Sequence, residues 1–158
     1  MTFQELLKRT RGDSWIPPER LLCFDPGETT GWCLFEKAEL VAADYFSTKA
    51  EGYEALQKVI DKADPTHFIV EDYRVYGNRA SQHINSELFT PRLIGTLDFI
   101  AWTLEVPINY QMASTAKGFC NDQKLKQWGF WIPGKRHTRD AIRHGAYFLL
   151  FHGRSQKK

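Results

Sequence analysis

Two predicted strands of this sequence each end in an acidic residue. A predicted helix begins with further residues whose side chains can bind metal ions. Asp25 follows a mostly apolar segment, and Glu71 follows Phe-Ile-Val. His137 and Asp140 are three residues apart, which places them on one helical face, and His144 follows one turn later. Carboxylates and imidazoles from distant positions suit divalent metal ions, and two ions about 3.5–4 Å apart can drive phosphodiester hydrolysis. The pattern therefore favours metal-dependent phosphate chemistry.

Each of these residues also has an alternative role that the residue types leave open. Asp25 could accept hydrogen bonds from the Gly- and Thr-rich turn that follows it, and Glu71 could be a solvent-facing acid at a strand end. His137 and Asp140 could be a surface histidine and an acid near a helix N-terminus. Asp72 competes with Glu71, because alternate strand residues face opposite sides and only one of the two can face the site.

The elements that must position these residues follow from apolar periodicity and from turn residues. Helices are predicted at residues 2–9, 50–63, 83–105, 113–118 and 136–152, and strands at 20–25, 31–36, 39–47, 67–70 and 108–110. The apolar stripe of the third helix is predicted to be Leu93, Leu97, Ile100 and Leu104. This order predicts an α/β fold, with a mixed five-stranded sheet flanked by helices. We place an N-terminal extension at 1–19 and the main domain at 20–158.

Composition and charge narrow the class of protein. With 158 residues, 42% of them hydrophobic and 25% charged, the chain suits one globular domain with a real core. No apolar run approaches the roughly 20 residues of a membrane span, and three scattered cysteines predict free thiols in a reducing cytosol. Residues 111–158 carry a net charge of +8, against −6 for residues 1–110. A basic C-terminal third predicts a surface for a polyanion.

Four stretches, in order and at matching spacing, resemble the RuvC-type Holliday junction resolvases of the ribonuclease H-like superfamily. The likeness covers about residues 20–152. It is carried by Asp25-Pro26-Gly27-Glu28-Thr29-Thr30-Gly31-Trp32, by Phe68-Ile69-Val70-Glu71 with Asn78 and Ser81, by Ala116-Lys117-Gly118 with Lys124, and by His137-Thr138-Arg139-Asp140-Ala141.

The resemblance implies a ribonuclease H-like fold and a metal-dependent endonuclease that places paired nicks in four-way DNA junctions. Its catalytic and metal-binding set would be Asp25, Glu71, His137 and Asp140, with His137 either ligating metal or moving protons. The expected cofactor is Mg²⁺, with Mn²⁺ as an alternative, at two ions per site. The expected partners are branched DNA and a second copy of the chain, in the cytoplasm of a bacterium or of a phage-infected host. The predicted DNA-binding residues are Tyr73, Arg74, Tyr76, Asn78, Lys117, Lys124, Arg136 and Arg139; Lys135 and Arg143 are further candidates for phosphate contacts.

The sequence departs from the family pattern at three places. Residues 1–19 precede the usual start, Arg74 stands where an aromatic residue is common, and the segment between Ser81 and Gly95 is longer than in typical bacterial members. These differences resemble phage or other divergent members. They keep open a less selective branched-DNA or flap endonuclease, an RNA–DNA hybrid nuclease, and a non-catalytic DNA-binding module. The kinase-like ATP-binding fold, which shares the Asp-x-Gly-x-Thr pattern, needs a second domain that 158 residues cannot hold.

Overall fold

A five-stranded mixed sheet forms the centre of the molecule, in a computed structural model that describes residues 1–73 and 89–153. The strands are β1 (Arg20–Asp25), β2 (Thr29–Glu36), β3 (Glu39–Ser47), β4 (His67–Glu71) and β5 (Ile108–Gln111). Their order is β3-β2-β1-β4-β5, with β1–β2 and β2–β3 antiparallel and β1–β4 and β4–β5 parallel. The predicted fold class is therefore confirmed.

Helices cover both faces of this sheet. They are α1 (Phe3–Arg11), α2 (Thr48–Ala63), α3 (Phe89–Thr103), α4 (Ala113–Phe119), α5 (Asp122–Gln127) and α6 (Arg136–Phe151). Along β1, alternate residues enter opposite cores: Leu21 and Cys23 pack in the cluster that contains α1 and α6, while Leu22 and Phe24 pack in the cluster that contains α2 and α3. Because both faces of β1 are covered, its sequence is a nearly continuous apolar run.

The last helix, α6, lies unusually close to the sheet at two glycines. A Cβ on Gly145 would lie 2.5 Å from Phe35 Cε2 and 2.7 Å from Cys23 Sγ, so the helix approaches through a position without a side chain. At the start of the helix, a Cβ on Gly31 of β2 would overlap the carbonyl group of His137. The two glycines therefore set how closely α6 lies against the strand ends.

The N-terminal residues pack against the same helix. Phe3 and Leu7 are buried in the α6-side core. The Arg11 side chain donates hydrogen bonds to the carbonyl oxygens of Phe148, Leu149 and His152, at 2.9, 2.6 and 2.7 Å. A cationic side chain on the free carbonyls of a helix C-terminus is stabilising. Residues 3–11 thus brace α6, while a domain boundary at residue 20 stays a prediction.

Several local predictions differ from the structure. The helix α5 was not predicted, because only Leu125 of its six residues is buried and so short a segment has no helical periodicity. The helix α3 ends at Thr103, which leaves Leu104 48% exposed, and Ala101 takes the predicted place of Leu104 in the buried stripe. The part of the predicted helix at 83–88 lies outside the described residues.

The three cysteines are free and buried, as predicted. Within the described ranges, no helix has both the length and the apolarity to cross a membrane.

Candidate active site

Three carboxylates meet at one end of the sheet. Asp25 ends β1, Glu71 ends the neighbouring parallel strand β4, and Asp140 lies on α6. One oxygen from each of the three lies within 4.8 Å of the others. Because parallel strands end at the same sheet edge, β1 and β4 deliver their acids side by side. The structure thus brings together three of the four predicted site residues in one acidic cluster, which we call the carboxylate triad.

The start of α6 is fixed to the sheet by backbone and side-chain contacts. The Thr138 hydroxyl, which is fully buried, donates to the Asp44 carbonyl oxygen of β3 at 2.8 Å. Gly31, the β2 partner of Asp25 in the strand register, leaves room for the His137 backbone directly above it. Asp140, one turn further along, is held by the buried Arg143 guanidinium. The first two turns of α6 therefore have little freedom to move.

Arg143 does not take the role that its charge predicted. Its guanidinium is buried, and it donates to Asp140, to Asp122 and, at 2.9 Å, to the Cys120 carbonyl oxygen. The expectation of a DNA-facing arginine at this position is therefore wrong. Arg143 instead ties the α4–α5 connection to a member of the carboxylate triad.

Lys117 of α4 is the positive charge inside the cluster. Its Nζ lies 2.9 Å from Asp140 Oδ2 and 3.6 Å from Glu71 Oε2. Burial opposes the charged form of this lysine, but the hydrogen bond to Asp140 and the nearby carboxylates outweigh it and raise its pKa. Burial also opposes the charged form of Glu71, yet His144 and Lys117 lower its net pKa. The carboxylate triad thus holds a cation of its own in this structure.

His137 contacts Asp25 rather than the centre of the triad. Its Nδ1 donates to Asp25 Oδ2 at 2.8 Å, and this hydrogen bond raises the pKa of His137. The pKa of Asp25 is also raised, by burial first and then by the charges of Glu71 and Asp140, against the effect of His137. A divalent cation would relieve the repulsion that the charges of Glu71 and Asp140 exert on ionised Asp25. Hard oxygen ligands of this kind suit Mg²⁺ or Mn²⁺.

The predicted DNA-binding residues have different surroundings. Arg136 and Arg139 line a cavity of about 550 Å³ beside Asp140, together with Lys117. The Nζ of Lys124 lies 3.3 Å from the centre of the Phe119 ring. Tyr73 follows β4 by two residues. The predictions for Arg74, Tyr76 and Asn78 lie outside the described residues.

Two polar neighbours of Glu71 complete the site. His144 is fully buried, and its Nε2 lies 2.9 Å from Glu71 Oε2. Its Nδ1 lies 3.1 Å from Gln111 Oε1, at the end of β5. Helical spacing predicted the side on which His144 lies, but nothing in the sequence marked Gln111, whose position depends on strand pairing with Glu71.

Comparison with solved structures agrees with the fold that positions this site. Thermus thermophilus RuvC in complex with a Holliday junction substrate matches with a TM-score of 0.62 at 14% identity, over 83% of this chain and 92% of that one. Thermus thermophilus RuvC alone matches with a TM-score of 0.60 at 15% identity, over 83% and 93% of the two chains. The chain has a RuvC-type resolvase fold.

A third match is a mitochondrial protein from yeast. The yeast mitochondrial Holliday junction resolvase Ydc2 has a TM-score of 0.55 at 12% identity, over 92% of this chain and 84% of that one. No protein-family model and no curated protein sequence matches the chain. The likeness is therefore one of fold, and the site residues must be argued from their own geometry.

Proposed function

We propose that this protein is a metal-dependent endonuclease that resolves four-way DNA junctions by paired phosphodiester hydrolysis. The observation that carries the proposal is the convergence of Asp25, Glu71 and Asp140 within 4.8 Å at the strand ends of a RuvC-type fold. The matched Thermus thermophilus RuvC binds a Holliday junction substrate, and Ydc2 is a Holliday junction resolvase. We extend that substrate to this chain.

The residues present fit a divalent metal. Burial, and then the charges of Glu71 and Asp140, raise the pKa of Asp25, and Lys117 Nζ, 2.9 Å from Asp140, shows that the cluster accepts a positive charge. We assign Asp25, Glu71 and Asp140 as the residues that would hold Mg²⁺ or Mn²⁺, at two ions per site. When bound, such ions activate a water and stabilise the leaving oxygen.

The surrounding side chains would bind and orient the DNA strand. Arg136 and Arg139 line the cavity next to Asp140, where they can neutralise backbone phosphates. Asp25 engages His137 through Nδ1, which leaves Nε2 of this half-exposed side chain to face the substrate, as a ligand or as the carrier of a proton. The charged contacts are to the DNA backbone, so we expect recognition by shape and binding that weakens steeply with salt.

Cleavage of a synthetic mobile four-way junction, with mapping of both products, tests the proposal. Three-way, flap and RNA–DNA hybrid substrates are compared under the same Mg²⁺ concentration. Symmetric paired nicks in the four-way junction support a resolvase. Scattered single cuts across the panel would identify a broader branched-DNA nuclease, and binding without any cleavage would identify a DNA-binding module.

Lys117 gives a prediction about metal affinity. Replacing Lys117 by Gln removes a positive charge 2.9 Å from Asp140, so Mn²⁺ should bind more tightly, by at least about fivefold. Junction cleavage should nevertheless fall, because a phosphate-binding charge is lost. Electron paramagnetic resonance titration with Mn²⁺ measures the affinity. Lys124→Gln is the matched control, since it removes the same charge beside Phe119. Unchanged or weaker Mn²⁺ binding by the Lys117 variant would contradict its place in the cluster.

The exposed end of α3 supports a homodimer. Phe99 and Trp102 are 64% and 75% exposed, and their rings lie 5.9 Å apart. An exposed aromatic pair on one helix is typical of an interface centre. We propose that α3 packs against a second copy of the chain, which would place two active sites for two opposing strands.

The dimer proposal predicts the effect of a charge on this surface. Trp102→Glu should weaken dimerisation by about 30-fold or more, as expected for an aromatic hot spot. Sedimentation velocity over a concentration series measures the change. Tyr53→Glu, on α2, introduces the same charge at a 52% exposed aromatic residue and should leave the dimer intact. A wild-type protein that stays monomeric at high concentration would refute the proposal.

A further inference from the structure

His144 is the one histidine of the candidate site with no exposed surface. It lies on α6 one turn after Asp140, at 0% exposure, between the ends of β4 and β5. Glu71 and Gln111 are direct partners in the β4–β5 register, and the imidazole contacts both side chains. Because Nε2 is engaged by Glu71 and the ring is fully enclosed, His144 does not itself offer a ligand to an ion.

The hydrogen bonds of His144 define which ring nitrogen donates. Glu71 accepts at 2.9 Å, so Nε2 carries the hydrogen. A neutral ring then needs a donor at Nδ1, which the Gln111 NH₂ group supplies when its amide is turned by 180°. An imidazolium would donate to the amide oxygen, 3.1 Å away. In both forms Nε2 donates to Glu71, so the contact does not depend on the protonation of the ring.

The contact selects one oxygen of Glu71. His144 and Lys117 both approach Oε2, at 2.9 and 3.6 Å. Among the described residues, none forms a hydrogen bond or ion pair with Oε1. A glutamate at a strand end can otherwise rotate about three side-chain bonds. A fixed hydrogen bond to one oxygen limits that rotation and holds the carboxylate in one orientation.

We propose that His144, held by Gln111, is a positioning residue that fixes the Glu71 carboxylate in the orientation in which it faces the ion site shared with Asp25 and Asp140. The proposal rests on the proposed function, since it takes Glu71 as a metal ligand. If His144 had a purely structural role, we would expect an apolar residue at this position. A fully buried position between a helix and a sheet is filled more cheaply by an apolar side chain, whereas a buried imidazole requires partners at both nitrogens.

The test compares two side chains of equal length at position 144 in the full chain. His144→Gln can place an amide donor where Nε2 lies, whereas His144→Met fills similar space without a donor. Mn²⁺ affinity is measured without DNA by electron paramagnetic resonance, and thermal unfolding in EDTA serves as the folding control. We expect His144→Met to weaken Mn²⁺ binding by about 10- to 100-fold. His144→Gln should recover most of that loss.

The outcomes separate this inference from the proposed function. Wild-type Mn²⁺ affinity in a folded His144→Met variant, or equal losses in the Met and Gln variants, would overturn the positioning role. If His144→Met does not fold, Gln111→Met replaces it, because the half-buried Gln111 can be changed without emptying the core. Wild-type affinity in that variant would overturn the role as well. Glu71→Gln is the reference: if it binds Mn²⁺ as the wild type does, the metal assignment itself is wrong.

Discussion

Replacing Asp25 by Asn is expected to abolish junction cleavage while junction binding is kept. The change removes one of the three proposed metal ligands, whose oxygen atoms lie within 4.8 Å of one another. Metal assistance is worth several kcal/mol, so the cleavage rate should fall on the order of 10³-fold or more. Binding should be equal or tighter, because the variant removes one negative charge from the carboxylate triad. Single-turnover cleavage in Mg²⁺ and a gel-shift titration in Ca²⁺ measure the two effects.

The same variant makes a further prediction about stability. Burial and the neighbouring carboxylates raise the pKa of Asp25, so its ionised form is unfavourable in the folded protein without metal. Asn keeps the shape without the charge, and the unfolding midpoint in EDTA should therefore stay the same or rise. Asp72→Asn is the control, since it makes the same charge change one residue after Glu71, outside the triad. Cleavage by Asp25→Asn at the wild-type rate would contradict the assignment of Asp25 as a metal ligand.

Replacing Gly31 by Ala is expected to damage both stability and cleavage. The added Cβ would overlap the His137 carbonyl group and would crowd the Thr138 amide, and these are backbone atoms that cannot swing aside. Overpacking of this kind costs about 1–3 kcal/mol of unfolding free energy. Relief requires the start of α6 to move away from the sheet, which carries Asp140 away from Asp25. A displacement of about 1 Å at a reacting centre can cost 100-fold in rate.

Gly95→Ala provides the matched control for Gly31→Ala. Gly95 lies on the exposed side of α3, where an added Cβ meets nothing within 4 Å. It shares the face of Phe99 and Trp102, so sedimentation velocity must show that the variant keeps the oligomeric state of the wild type. Alanine is the better helix former, so this change should stabilise the protein by about 0.5–1 kcal/mol. Urea denaturation and single-turnover cleavage of both variants compare the two sites. Equal stability and cleavage in the Gly31 and Gly95 variants would show that α6 does not depend on this close approach.

Part of the site was predictable because it depends on local pattern. Asp25 and Glu71 end apolar strands, and the spacing of His137, Asp140 and His144 gives one helical face; simple periodicity covers both. These residues form a single cluster because β1 and β4 are parallel neighbours in the sheet. The order of the elements predicted a mixed sheet but not which strands are neighbours, and the resemblance named the fold that contains this arrangement.

The remaining contacts of the site depend on tertiary placement. A basic residue in a sequence does not reveal its partner, so Arg143 was assigned to DNA although Asp140 and Asp122 hold it inside the protein. Asp122 lies on α5, a helix too short for any periodic signal. Lys117 was predicted to lie along the DNA path, and nothing in the sequence indicated that the packing of α4 against α6 also places its charge among the carboxylates. Gln111 enters only through strand register.

The position of α6 in the chain has a consequence during biosynthesis. Asp25 and His137 are in contact across 112 residues of sequence. Until α6 leaves the ribosome, the sheet face that carries Cys23, Phe35 and Ile69 lacks its cover. The growing chain therefore exposes an apolar surface that invites chaperones or aggregation. It also lacks Asp140, so the carboxylate triad is completed in the same event that buries the core.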